Sequence, residues 1–285
     1  MKTRTIGTRQ VSAIGLGAMP MSVAGHMPDE KQSIRTIHAA LDAGITLIDT
    51  ADAYTPSAED VGHNERLVAK ALASWGGDTS GVLIATKGGH TRVAGGGWDV
   101  DGRAEYIKRA CERSLKALGV EAIDLYQHHR PDPKVAYEES IGALADLLAA
   151  GKIRAAGISN ADPEQIRLAH SILGEGLVSV QNEYSPRFRT SEPEVDVCAE
   201  LGLAFLPWSP LGGIGRADDL GGKAAPFAEI ARERGVSPQQ VCLAWELARS
   251  PVMIPIPGAS RPESIRDSAA AAELELTAEE LARLG

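Results

Sequence analysis

The chain has 285 residues, with 29 Lys and Arg against 38 Asp and Glu, a formal net charge of −9. A surface this acidic repels phosphate at long range, which argues against a nucleic-acid partner or an anionic membrane surface. Its 44% hydrophobic and 4% aromatic content excludes disorder and fibrous repeats, and predicts a core built mostly of Ala, Val, Ile and Leu.

The chain opens on Lys2, Arg4 and Arg9 followed by an apolar stretch, Val11–Met21, but Gly15, Gly17 and Pro20 break that stretch, so it reads as a first strand rather than a leader. Residues Thr3–Ile14, with the turn Gly7-Thr8, predict a hairpin leading into that strand and placed to plug the floor of a barrel. Eight short apolar runs are spread along the chain: Ile14–Gly17, Ile45–Asp49, Val82–Thr86, Ile123–His129, Ile153–Ser159, Leu177–Gln181, Leu203–Pro207 and Val252–Ile256. They are continuous rather than alternating, as parallel strands buried on both faces are. Between them, apolar residues recur at helical spacing, as in Ile34, Ile37 and Leu41, then Ile107, Cys111, Leu115 and Leu118, then Ile141, Leu144 and Leu148. Asp162-Pro163-x-Gln165, Ser237-Pro238-x-Gln240 and Thr277-x-x-Glu280 are helix starts with capping chemistry, and Asp42-Ala43-Gly44 and Leu118-Gly119 are helix ends.

Eight β-then-α units imply either a closed (β/α)8 barrel or a doubly wound sheet. The barrel is preferred, as a single domain over residues 1–285, because residues able to do chemistry fall at the C-terminal ends of many different strands. A dinucleotide-binding sheet would also want G-x-G-x-x-G after its first strand, and here Pro20 stands at the third glycine position. The cysteines, Cys111, Cys198 and Cys242, are three and far apart, with neither metal-ligand spacing nor a disulfide framework. No run approaches the ~18 apolar residues of a membrane span. A cytoplasmic location is expected.

Strand two ends in Asp49, with Tyr54 five residues on; strand three ends in Lys87; strand four ends in His128-His129-Arg130. Each alone has an ordinary reading, such as a helix cap or a surface loop residue. In a barrel all would converge over one mouth. A lysine ammonium beside a phenol favours the phenolate and lowers its pKa, and Asp49 would hold that ammonium charged and oriented. Tyr and His together make an electrophilic site for the oxygen of an aldehyde or ketone as hydride arrives at its carbon. Adjacent strand residues point to opposite faces, so His128 and His129 cannot easily serve one site.

These stretches resemble the aldo-keto reductase family over nearly the whole chain. The resemblance is carried by Ile14-Gly15-Leu16-Gly17, Asp49-Thr50-Ala51-Asp52-Ala53-Tyr54, Gly62-His63-Asn64-Glu65, Thr86-Lys87-Gly88 and Asp124–Arg130. It continues through Gly157-Ile158-Ser159-Asn160, Gln181–Ser185, Trp208–Gly213 and Ile254–Gly258. The details are most similar to bacterial members related to potassium-channel β subunits. The resemblance implies a catalytic tetrad of Asp49, Tyr54, Lys87 and His129, and NADPH held without a Rossmann fold. Gly17, Ala18, Met19 and Asp49 would touch the cofactor. Ser159, Asn160 and Gln181 would hydrogen-bond the carboxamide, and Trp208 would stack on the nicotinamide. Ser209, Pro210, Leu211 and Gly212 would bring backbone close to the pyrophosphate, and Gly258, Ser260 and Arg261 would meet the 2′-phosphate, favouring NADPH over NADH. The family's terminal Glu-Asn pair is replaced by Asp267-Ser268, and Ser264 stands where a longer side chain is common, which puts the adenine contacts in question. His128, at an aliphatic position of the family pattern, either packs between barrel and helices or adds a polar group near the mouth.

Met19, Tyr54, Trp98 and His129 are the expected substrate contacts. The loop Gly88–Gly102, with His90, Arg92, Gly95-Gly96-Gly97 and Trp98, is either a mobile lid or a disordered connection. The expected activity is reversible NADPH-dependent reduction of a small carbonyl compound by a monomer. Two other readings remain: a cofactor-sensing protein with weak turnover, and a metal-assisted hydrolase using Asp49, Asp52, His128 and His129.

Overall fold

A computed structural model describes every residue except 24, 26 and 214–224. The expected hairpin forms from β1 (Thr3–Ile6) and β2 (Arg9–Ser12), turning at Gly7 with φ +55°. Seven parallel strands come after it: β3 (Leu16–Gly17), β4 (Leu47–Asp49), β5 (Leu83–Gly88), β8 (Leu125–His128), β9 (Ala156–Ser159), β10 (Leu177–Gln181) and β11 (Ala204–Phe205). They pair in chain order, each with the next.

The eighth stave, residues 252–258, closes the barrel without forming a regular strand. Ile254 and Ile256 donate their N–H groups to Phe205 and Pro207, while the carbonyls of Pro255 and Pro257 accept from Gly15 and Gly17. Proline has no N–H to give, so on the side facing β3 the stave can only accept, and half of that ladder is missing. The predicted run Val252–Ile256 is therefore correct in place but carries only the bridge from Phe205 to Met253, with a second, Gly17 to Gly258, just beyond it. Gly17 is required at this seam: a Cβ there would stand 2.8 Å from the Ile256 carbonyl oxygen.

Helices wrap the outside, including α1 (Glu30–Asp42), α2 (His63–Ser74), α3 (Ala104–Leu118), α4 (Tyr137–Ala149), α5 (Pro163–Leu173) and α6 (Glu192–Leu201), then α7 (Ala225–Arg234), α8 (Pro238–Arg249), α9 (Pro262–Ala270) and α10 (Ala278–Leu284). The Asp162/Gln165 and Thr277/Glu280 capping boxes form as predicted. Ser237 caps α8 too, but the Gln240 side chain bonds Asp267 instead of completing a box. Gly44 and Gly119 end their helices at φ +86° and +70°.

The loop over residues 88–102 is not a disordered connection. It folds as an antiparallel hairpin of β6 (His90–Arg92) and β7 (Trp98–Val100), which the glycines turn around. Inside the barrel, Ile6 and Val11 of the N-terminal hairpin pack with Leu47, Leu83, Ala85, Leu125, Val178 and Ile254. Strand alternation then fixes what lies above this apolar floor. Two residues beyond Leu47, Ala85, Leu125 and Ser179 come Asp49, Lys87, Gln127 and Gln181, so four polar side chains enter the same level of the barrel from four staves.

Candidate active site

At that level Lys87 is fully buried, and its ammonium has three acceptors: Asp49 Oδ1 at 2.6 Å, the Thr50 carbonyl at 2.9 Å and the Tyr54 hydroxyl at 3.1 Å. An ammonium has three protons to donate, so this set leaves none unsatisfied. The second Asp49 oxygen accepts from the side-chain amides of Gln181 at 2.8 Å and Gln127 at 3.3 Å. Burial alone would lower the Lys87 pKa, yet Asp49 and Tyr54 outweigh it and the pKa rises, which keeps the ammonium charged.

The phenol behaves differently from the sequence expectation. Burial raises the Tyr54 pKa more than Lys87 lowers it, so it stands above the ordinary value of 10.0 rather than below. At neutral pH the hydroxyl therefore keeps its proton. His129 meets the Tyr54 ring edge-on with centroids 5.7 Å apart. Burial, with Lys87, His90, Arg130 and His128 nearby, depresses its pKa well below 6.5, so the imidazole is neutral. Its Nδ1 is buried without a partner. His128 takes the packed alternative: it is fully buried, lies 5.6 Å from the Tyr137 ring of α4, and its pKa drops to about 4 through desolvation.

A cavity of about 770 Å³ opens beside this group. Of the expected contacts, Gly17, Met19, Asp49, Tyr54, Trp98, His129, Ser159, Asn160, Gln181, Trp208, Ser209, Pro210, Leu211, Gly258, Ser260, Arg261, Asp267 and Ser268 all line it. Three do not. Lys87 sits behind Tyr54; Ala18 is buried behind the wall with its carbonyl taken by Asn64; Gly212 is set back in a turn whose N–H donates to Ser209. Asn160, at φ +58°, uses its amide nitrogen on the His129 carbonyl and Ser159, while the Ser159 hydroxyl donates to the Gln181 carbonyl. Asp267 reaches the cavity, but its two oxygens accept from Ser237 and Gln240 at 2.6 Å each, which ties α9 to the start of α8 and makes it a poor reader of adenine.

The sequence reading missed Pro20, Arg130, Gln239 and Glu263 as lining residues. Arg130 had a signal, standing directly after His129 at a stave tip. Gln239 had a weaker one in the Ser237-capped first turn of α8. The dinucleotide fits this cavity on the polar groups present. Asn160 and Gln181 offer amides at the floor, Trp208 gives a flat half-buried wall with an unpartnered indole nitrogen, and Ser260 and Arg261 stand at the N-terminus of α9, where negative charge is favoured.

The metal-site reading does not gather. Asp49 points inward, Asp52 points outside the barrel wall toward Arg113 at 3.5 Å, and His128 points to α4. Among the described residues no three His, Cys, Asp or Glu side chains are grouped to hold a metal ion. No helix among them is long and apolar enough to cross a membrane.

The sequence profile of the Aldo/keto reductase family matches residues 13–285. The chain belongs to this family. A probable aldo-keto reductase of Glycine max is 34% identical over 97% of the chain and 86% of its own length. Among solved structures, a glycerol dehydrogenase from Gluconobacter oxydans superposes with a TM-score of 0.85 at 29% identity, covering 99% of this chain and 93% of that one. An aldo/keto reductase from Klebsiella pneumoniae, solved with NADP and acetate, gives 0.83 at 29% identity, covering 99% and 94%. This aldo-keto reductase is thus an NADP-dependent oxidoreductase acting on carbonyl compounds, and neither the sensor nor the hydrolase reading is favoured.

Behind the barrel wall, Asp52 and Glu65 are both buried, with the exposed Arg113 reaching Asp52 from the surface. Burial first, then Glu65, pushes the Asp52 pKa up to about 8, with Arg113 acting against them. Its native pKa lies above the unfolded value of 3.8, so between about pH 4 and pH 8 the native state holds the extra proton and stability falls as pH rises. Asp52→Asn should flatten that decline and leave the protein more stable than wild type at pH 8, measured by urea unfolding across pH 5–8. An unchanged slope would show that Asp52 does not titrate in this window.

Proposed function

We propose that Tyr54 is the proton donor in NADPH-dependent reduction of an aldehyde or ketone, with Lys87, Asp49 and His129 completing the machinery. The observation that carries this reading is the buried ammonium with its hydroxyl contact to Tyr54 at 3.1 Å, beside a cavity that fits a dinucleotide. NADPH bound there supplies the hydride. The substrate oxygen would sit between the Tyr54 hydroxyl and the His129 ring, the first giving a proton and the second, being neutral, a hydrogen bond. As the phenol loses its proton, the adjacent Lys87 charge stabilises the phenolate, and Asp49 keeps Lys87 in place. Trp208, Asn160 and Gln181 orient the nicotinamide end; Gly17, Met19 and the turn from Ser209 to Gly213 hold the middle. Ser260 and Arg261 meet the 2′-phosphate, Arg261 through charge-assisted bonds that NADH cannot use.

We take the chain to act as one catalytic unit, a cytoplasmic monomer free of nucleic acid. Supporting this are three buried cysteines without disulfides, the net charge of −9, and exposed large hydrophobic side chains that are single residues on separate elements outside the β6–β7 hairpin.

Tyr54→Phe should lower kcat by at least about 10²-fold, while a nicotinamide fluorescence titration still shows NADPH bound. Retained turnover would remove Tyr54 from the role. Because the phenol pKa is raised and the His129 pKa depressed, reduction should run level through neutral pH, without an inflection near 6.5. It should fall only once the pH passes the ordinary phenol value of 10.0. Arg261→Ala should shrink the NADPH-over-NADH preference in kcat/KM by about tenfold; a preference that survives would assign it to other residues.

A further inference from the structure

Arg130 stands next to His129 at the tip of β8, and its exposed side chain lines the same cavity as Tyr54, His90 and Trp98, close enough to Tyr54 and His90 for its charge to act on both. Among the described residues it has no hydrogen-bond or ion-pair partner within range. Apart from Arg92, which lies over the Trp98 ring, the charges of the catalytic group itself are cancelled or absent. Lys87 is neutralised by Asp49; Tyr54 and His129 are uncharged at neutral pH. His90 is also neutral, its pKa lowered to about 4 by burial and then by Arg130, Arg92 and Lys87. Glu183 feels the Arg130 charge, but the two do not form an ion pair.

The wall beside Arg130 comes from the hairpin. Trp98 stacks on His90 with centroids 4.5 Å apart and carries the Arg92 guanidinium over its ring at 4.2 Å. His90 in turn meets His129 at 4.8 Å. The substrate end of the cavity is thus a flat aromatic wall leading from the catalytic histidine, with Arg92 held over the Trp98 ring and Arg130, which makes no ion pair, the guanidinium that lines the cavity there. The coenzyme phosphates have their own cation, Arg261, at the far end of the cavity before α9. A chain of net charge −9 supplies no general positive background, so an unpaired cation in a half-enclosed site marks a place for an anion.

We propose that this reductase acts on carbonyl compounds carrying an anionic group, a carboxylate or a phosphate, which Arg130 binds through its planar donor fork while the Trp98–His90 wall packs the body of the substrate. The proposal rests on the reductase reading above. It adds a specificity-determining residue and a substrate class.

The test compares kcat/KM, with NADPH, for two pairs of aldehydes differing in charge: 4-carboxybenzaldehyde against methyl 4-formylbenzoate, and glyceraldehyde 3-phosphate against glyceraldehyde. The wild type should prefer the charged member of at least one pair, and which pair identifies the anion. Arg130→Met should cut that preference by about tenfold or more, chiefly through KM, and Arg130→Lys should restore part of it. Inhibition by benzoate against methyl 4-formylbenzoate should weaken in parallel. NADPH fluorescence titration checks that each variant is folded, and Arg130→Gln replaces Arg130→Met if the latter is not. A wild type that reduces the neutral aldehydes with no preference for either anion, or a preference that survives loss of Arg130, overturns the proposal and leaves the reductase reading standing. Failure to reduce any of the four while NADPH still binds defeats both.

Discussion

The structure depends on keeping a lysine charged inside the barrel. Removing an ammonium from water costs several kcal/mol even after relaxation, and Lys87 is fully buried. What offsets that cost is geometry: one carboxylate oxygen, one backbone carbonyl and one phenol, all within 3.1 Å of a group with three protons. The arrangement draws on β4, β5 and the loop after β4, and the amides of Gln127 and Gln181 bring in β8 and β10 through the other Asp49 oxygen. The ammonium and its three acceptors come from two neighbouring strands and one loop, and only the two amides that fix Asp49 need staves further round the barrel.

The same burial sets the protonation of every group around the ammonium. Tyr54 is pulled toward phenolate by Lys87 and toward phenol by loss of water, and water loss prevails. That outcome suits a donor whose proton must be present before the substrate arrives, with Lys87 placed to stabilise the charge left after transfer. His129 loses any cationic form for the same reason, reinforced by the ammonium nearby. A single Coulombic argument from the sequence reached the correct partners but the wrong sign for the phenol, because burial cannot be read from the residues themselves.

Much of the fold was legible because it rests on local rules. The positions of the staves, the hairpin at Gly7-Thr8, the Asp162 and Thr277 capping boxes and the glycine helix ends all come from periodicity and caps. The inward level of Asp49 and Lys87 comes from strand alternation. Where reading failed, a long-range partner decided. Pro255 looked like part of an apolar strand, and its missing N–H, like that of Pro257 just beyond the run, matters only against β3. Asp267 looked available for a ligand until α8 brought Ser237 and Gln240 to it. The segment from 88 to 102 looked structureless because its strands are three residues each, too short for any pattern to show.

The rim of the barrel divides its labour by position. Staves β9, β10 and β11, the turn after Trp208 and the N-terminus of α9 present amides, glycines and a guanidinium, the groups that suit a long polar coenzyme. Staves β4, β5 and β8, with the residues just after them, carry the groups proposed above to handle the proton. The β6–β7 hairpin is inserted between β5 and α3, immediately after the residue that anchors the charge, so its aromatic wall is built out from the catalytic strand itself. A change in that hairpin can therefore reshape the substrate end without disturbing the coenzyme trough or the buried ammonium. The contact between His90 and His129 couples the two, and it joins uncharged rings.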